Sequence, residues 1–294
     1  MNLSISTCAT ERRITETGFV FAPEEGIRQC AEAGFRYIDF NFANAAKRKG
    51  PLSGDNWESW VADMEACVHR NGLTVEQTHS HWFWLQKCPT EERLQWNKEM
   101  LCRSIIASSR LGDNPWVVFH PLSIFDNDVL NLEKTREFNL RYCTEMGEIA
   151  AKYGARIAIE NLFPNPFEGY CCAADELLEL VSRLDPKYFG ICWDFGHANC
   201  SDLDHIASLR TIAPYLRVVH CHDNKKRSDD HFIPYFGSVP WKEILPTLKE
   251  IDYKGNLNME VHVFYNTLPQ SLRMEGLRFM RTVGEEMIKM IHEA

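Results

Sequence analysis

The sequence predicts one (β/α)8 TIM barrel occupying residues 1–294 as a single domain, and three observations predict it. Short apolar runs alternate with helix-like stretches eight times along the 294 residues, the number of βα units a barrel requires. Most of these runs sit just after a glycine that can end a helix. Each run is of strand length and continuously apolar, which suits a parallel strand covered on both faces. The rival architecture, an open doubly wound sheet, would carry a Gly-x-Gly-x-x-Gly turn after its first strand, and none is present there.

In chain order, the first strand is expected at 3–9 and the first helix at 24–33. Gly34 then leads into a strand over 36–41, followed by a helix over 56–71. Gly72 introduces the strand 73–79, before a helix at 91–111; Gly112 precedes the strand 116–120, before a helix at 133–153. That helix ends at Gly154, a residue suited to the left-handed C-cap, and the run ARIAIEN supplies a strand over 155–160. The pattern continues with a helix at 174–184, a strand at 189–194, a helix at 203–212 and a strand at 216–221. A helix at 240–251, a strand at 256–261 and a helix at 270–292 complete it. Met and Phe recur at helical spacing in the last helix, which reads as a packing face and a candidate contact for a homo-oligomer.

Composition narrows the class. With 45% hydrophobic and 25% charged residues the chain reads as a soluble globular protein. A formal net charge of -9 argues against a non-specific nucleic-acid coat. The 11 cysteines are odd in number and form no Cys-x-x-Cys pair, the usage expected of reduced thiols. The N-terminus lacks a signal-like apolar core and no apolar run approaches the ~20 residues of a membrane helix, so a cytoplasmic protein without membrane contact is expected.

Acids and imidazoles recur where the strands end. Asp39, His79, His120, Glu160, Asp194, His220 and Glu260 follow one another at intervals of 26 to 41 residues, close to one βα unit. In a parallel barrel all strand C-termini open on one face, so these side chains are expected to converge. Carboxylate oxygen and imidazole nitrogen without thiolate suit a divalent cation such as Mn, Mg, Co or Zn. Any one polar strand end is adequately explained as a cap or loop contact. Capping does not explain seven in series, because Ser, Asn or Gly would serve it equally well.

Two neighbourhoods extend the set. Asp194-Phe195-Gly196-His197 places an imidazole three residues past the acid, and one loop crowds His220, Asp223, Asp229 and His231 together. The bland reading of that loop is a solvated charge cluster. Trp82, Phe83 and Trp84 follow His79-Ser80-His81, Trp193 precedes Asp194 and Trp241 follows the last mouth loop. Trp82 offers a flat face on which a ligand in the mouth would stack, whereas alternation along the strand sends Trp193 to the core. His262 falls on the same side as Glu260 by alternation, and His69, His205 and His292 lie in helices away from the mouth.

The segments IENL, CWDFGHAN, VVHCHDN, Asp229-x-His231 followed by PYFGSVPW, and YKGNLNMEV resemble the xylose isomerase-like barrel superfamily. It includes sugar isomerases and epimerases together with family 2 AP endonucleases of the endonuclease IV type. The epimerase branch implies one divalent ion, most often manganese, on Glu160, Asp194, His220 and Glu260. The two glutamates would act as acid and base, with His197 on a sugar oxygen. His222 competes with His220, which is preferred because it precedes Asp223 by three residues as in the family's His-x-x-Asp ending. The nuclease branch implies three zinc ions, with His79, His120, His197, Asp229 and His231 as further ligands. One departure is visible: the family's Pro-Gly-x-Gly loop reads Pro234-Tyr235-Phe236-Gly237 here, which puts the usual path of that loop in question.

The resemblance and the paired glutamates favour isomerisation or epimerisation of a small sugar or sugar phosphate, by proton transfer through a metal-stabilised enediolate. Trp82 and Lys226 are assigned to substrate. An AP endonuclease is the alternative, disfavoured by the net charge and by the brevity of the basic run Lys225-Lys226-Arg227. A metal-dependent lyase acting on an oxidised glycoside and a non-catalytic binding protein complete the set, the last weakened by the presence of both glutamates.

Overall fold

Eight parallel strands close on themselves in chain order. The structure is a computed structural model that describes residues 1–15 and 18–294. The strands are β1 (Leu3–Ser6), β2 (Tyr37–Asn41), β3 (Thr74–His79), β4 (Trp116–Phe119), β5 (Arg156–Glu160), β6 (Phe189–Asp194), β7 (Leu216–Cys221) and β8 (Leu257–Met259). Each pairs in parallel with its sequence neighbours, and β1 closes the ring by pairing with β8. The long connections are helices: α1 (Pro23–Glu32), α2 (Trp57–Arg70), α3 (Glu91–Leu111), α4 (Leu132–Tyr153), α5 (Ala174–Val181), α6 (His205–Ile212), α7 (Trp241–Glu250) and α8 (Arg273–Glu293).

Local chemistry accounts for the helix boundaries. The Thr90 side chain caps α3 by accepting from the Arg93 amide, and Asn131 caps α4 by accepting from Lys134. Gly154 ends α4 with φ of 80°, the left-handed conformation expected of it. The expected and observed barrel elements agree to within three residues at either end. The largest difference at a strand is in β1, which stops at Ser6 because Thr7 turns into a short 3-10 helix and accepts a hydrogen bond from the Asn41 amide.

Four features were not anticipated: an antiparallel pair of Arg12–Thr15 with Gly18–Phe21, a small one of Phe125–Asp126 with Val129–Leu130, and short helices at Phe195–Cys200 and Val263–Thr267. All lie in connections beyond strand C-termini, where apolar periodicity carries no signal.

Strand alternation divides the core in two. One apolar layer fills the space between strands and helices, with Ile5, Ile38, Ile157, Ile159, Ile191 and Trp193 among its members. Trp193 thus packs outward, as its place beside Asp194 predicts. Inside the barrel, Trp116, Val118, Ala158, Cys192 and Val218 form a separate small plug. Those five share parity with His120, Glu160, Asp194 and His220, so the same alternation that fills the barrel raises the polar groups to its open end.

Candidate metal centre

At the C-terminal end of the barrel, Glu160, Asp194, His220 and Glu260 come together. Each offers a ligand atom, and the four atoms lie within 4.8 Å of one another. His220 Nδ1 is 2.8 Å from Glu160 Oε1, 3.2 Å from Glu260 Oε2 and 3.7 Å from Asp194 Oδ2. All four residues are buried.

Two further groups flank this cluster. On one side Glu160 Oε2 meets His120 Nε2 at 2.8 Å and His79 Nε2 at 3.5 Å. On the other, His222 Nε2 lies 3.0 Å from Asp194 Oδ2, while Asp229 Oδ2 is 2.8 Å from His231 Nε2 and 3.5 Å from His197 Nε2. Glu160 and Asp194 therefore each face the centre with one oxygen and belong also to a flank. The Asp194 dual role explains the Asp-Phe-Gly-His turn: its Oδ1 accepts from the His197 amide and caps the helix Phe195–Cys200, leaving Oδ2 for the histidines. Gly196 in that helix is obligatory for close approach, since a Cβ there would overlap the His222 ring.

These residues fit a divalent cation by their hydrogen bonding. His79, His197 and His231 each place Nδ1 against a backbone carbonyl, of Ser80, Asn161 and Glu260, at 3.0, 2.8 and 2.8 Å. A carbonyl only accepts, so each ring carries its proton on Nδ1 and turns Nε2 toward the carboxylates, as metal-ligating histidines do. Glu160 Oε2, His120 Nε2 and Asp229 Oδ1 are buried yet lack an aligned hydrogen bond. A carboxylate oxygen and an imidazole nitrogen 2.8 Å apart without that alignment suit a shared cation.

The charges reinforce the same point. Burial would raise the Glu160 carboxyl, but His220 and His120 hold it well below the usual carboxylate range. Asp194 is likewise kept low despite burial by His197 and His222, and Asp229 by His231, His197 and His222. Burial would lower His231, whereas Asp229 pushes it up to about 9. The same carboxylates favour the protonated forms of His197, His220 and His231, and a divalent cation would displace those protons.

Above the cluster lies a cavity of about 360 Å³, lined in part by Trp82, His79, His120, His197, Glu260 and Lys47, within the range of small-molecule sites. The Trp82 ring stacks on His120 with centroids 5.7 Å apart and so forms one wall. A larger cavity of about 540 Å³ lies at the opposite end, lined by Arg156, Arg217 and Trp116 among others. It includes none of the groups of acids and imidazoles described above.

Several expected residues are placed elsewhere. Asp39 sits one layer below the mouth, because β2 continues to Asn41 and pairs Asn41, not Asp39, with His79. Lys226 is half-exposed and ion-pairs with Asp202, outside the cavity lining. Asp223 turns its carboxylate into the loop, accepting from the amides of Asn224, Tyr235 and Val239 and from Trp241 Nε1 at 2.9 to 3.0 Å. Trp241 is consequently core rather than wall. Tyr235 adopts the left-handed conformation, with φ of 78°, and its amide donates to Asp223. His81 is buried and pairs with Asn97, and burial lowers it to about 4. Asn41, Asn44 and Lys47 line the cavity without having been expected there. Asn41 was legible by alternation two residues past Asp39, whereas Asn44 and Lys47 lie in a loop with no periodic signal.

A family model described as a xylose isomerase-like TIM barrel matches residues 27–283. The chain belongs to the xylose isomerase-like TIM-barrel family. Among relatives of this xylose isomerase-like barrel, an uncharacterised protein of Methanocaldococcus jannaschii is 35% identical, over 50% of this chain and 51% of that one. The chain thus spans about half the length of that relative. A D-psicose 3-epimerase of Ruminiclostridium cellulolyticum is 22% identical over 69% of this chain and 68% of its own. In fold, the chain is similar to a D-tagatose 3-epimerase-like protein with a TM-score of 0.77 at 20% identity, covering 100% of this chain and 99% of the other. No helix among the described residues is long and apolar enough to cross a membrane.

Proposed function

We propose that this protein is a divalent-metal-dependent isomerase or epimerase of a small sugar or sugar phosphate. The observation that carries the reading is the convergence of Glu160 and Glu260 on one point with Asp194 and His220, at the floor of a cavity of monosaccharide scale. Relatives named as sugar epimerases support it. Glu160, Asp194, His220 and Glu260 would hold the ion, with manganese first and Mg, Co or Zn as substitutes. When bound, the ion would supply Lewis acidity toward adjoining hydroxyl and carbonyl oxygens, making the intervening C–H more acidic.

The chain's own groups do the rest. One glutamate takes the carbon-bound proton on its carboxylate oxygen, and the other returns a proton to the opposite face, which inverts the centre. Transfer in both directions by one carboxylate between adjacent carbons would yield aldose–ketose isomerisation instead. His197 and Lys47 would bind hydroxyls, and Trp82 would shield the apolar face of the sugar from water. We expect a cytoplasmic protein of one domain, and a homo-oligomer in which a second copy covers the aromatic group of Phe236, Phe264 and Phe279 on and beside α8.

The flanking groups His79, His120, Glu160 and His222, Asp229, His231 favour one second reading, an AP endonuclease with three zinc ions. Elemental mass spectrometry of protein purified without added metal separates the two. About one Mn, Mg or Co per chain is expected for the isomerase, and about three Zn would overturn it. Ketohexoses incubated with the enzyme in D2O should take up deuterium beside the carbonyl, and Glu160→Gln and Glu260→Gln should each slow that uptake by roughly 10²–10⁴-fold.

A further inference from the structure

His220 differs from the other histidines at the mouth. His79, His197 and His231 rest Nδ1 on a backbone carbonyl, whereas His220 turns Nδ1 toward the carboxylates and Nε2 toward Asp39 inside the barrel. Asp39 Oδ2 stands 3.4 Å from that Nε2, and both side chains are fully buried. Among the described residues Nε2 makes no aligned hydrogen bond, and Asp39 Oδ1 is likewise buried without one, so each of the two facing residues keeps an unsatisfied atom. The carboxylate is itself steered by two amides, as Gln77 Nε2 from β3 and Asn258 Nδ2 from β8 each donate to the same Oδ2 at 3.0 Å.

Among the described residues, no lysine or arginine pairs with Asp39. A buried carboxylate without a compensating donor is costly. Gln77 and Asn258 supply neutral dipoles, and the remaining donor within reach is the His220 ring. The Cys192 thiol in the same interior plug offers no charge, because burial pushes its pKa up. We propose that Asp39 is a positioning residue: it holds the His220 proton on Nε2, which leaves the Nδ1 lone pair facing the cation. This rests on His220 being a ligand. Three strands, β2, β3 and β8, would then co-operate to set one tautomer on a fourth, β7.

The test measures binding, not turnover. In zinc-loaded wild type, long-range 1H–15N correlation should place the His220 proton on Nε2; a proton on Nδ1 would overturn the proposal whatever the variants do. Asp39→Asn keeps the shape of the residue and an acceptor oxygen. It should weaken Mn2+ binding, measured by calorimetry, by about 10–100-fold and alter the visible spectrum of the Co2+ form. An Asp39→Asn protein with an unchanged melting profile, a Mn2+ affinity within about twofold of wild type and an unaltered Co2+ spectrum would refute it. His220→Ala separates the two levels. If His220→Ala retains wild-type Mn2+ affinity, the ligand assignment is wrong. If it loses the ion while Asp39→Asn does not, only the role of Asp39 fails.

Discussion

Replacing Asp223 by Asn should loosen the loop that carries Asp229 and His231. Asp223 Oδ1 accepts from the amides of Asn224 and Val239, and Oδ2 from the Tyr235 amide and Trp241 Nε1, all at 2.9 to 3.0 Å. Its backbone also exchanges both hydrogen bonds with Phe232 at 2.8 Å. Asparagine retains one acceptor oxygen, so in either orientation two of the four bonds are lost and an NH2 group opposes two N–H donors. Hydrogen bonds to a charged group are worth about 1.5–3 kcal/mol each, which places the loss near 3–6 kcal/mol. Relief from burying a charge offsets part of that, and the lower end, about 3 kcal/mol, is expected. At roughly 2–4 °C per kcal/mol the melting temperature should fall by about 6–12 °C, measured by scanning calorimetry on metal-free protein. A shift under about 2 °C would show that the four donors find water instead and that Asp223 does not organise the loop.

Two further outcomes follow from the same geometry. Gly196→Ala gains roughly 1 kcal/mol of helix propensity but drives a Cβ into the His222 ring. Overpacking of about 1–3 kcal/mol and a strained contact with Asp194 should win, giving net destabilisation in urea titrations; a more stable variant would mean that His222 moves aside freely. His205 is buried at the start of α6, and burial lowers it to about 4. The unfolded chain therefore binds the extra proton between about pH 6.5 and 4, so this residue's contribution is present above 6.5 and lost as the pH falls toward 4. His205→Leu should flatten that part of the stability profile by up to roughly 3 kcal/mol, and an unchanged acid limb would contradict the assignment.

The barrel and the strand-end residues could be read from one dimension because both depend on short-range rules. Parallel strands buried on two faces must be continuously apolar, helices need caps, and alternation decides which residue of a pair such as Trp193-Asp194 faces inward. Those rules brought Glu160, Asp194, His220 and Glu260 to one mouth without knowledge of any contact. The departure at Tyr235 was visible too, as a residue out of keeping with its loop, though not the hydrogen bond from its amide to Asp223.

What the tertiary structure decided is the use made of each group. Asp223 and Asp229 are equally acidic in sequence, yet one accepts four donors within its loop and the other faces three imidazoles. Lys226 was a plausible sugar ligand by proximity to the motif, but its side chain leaves the barrel to meet Asp202, while Lys47 enters from a loop without periodic signal. Asp39 lies one layer beneath the mouth because β2 runs two residues past it and pairs Asn41 with His79. Hydrogen-bond direction, register and side-chain reach across forty or more residues are properties of a closed barrel, and they arise only when its last strand pairs with its first.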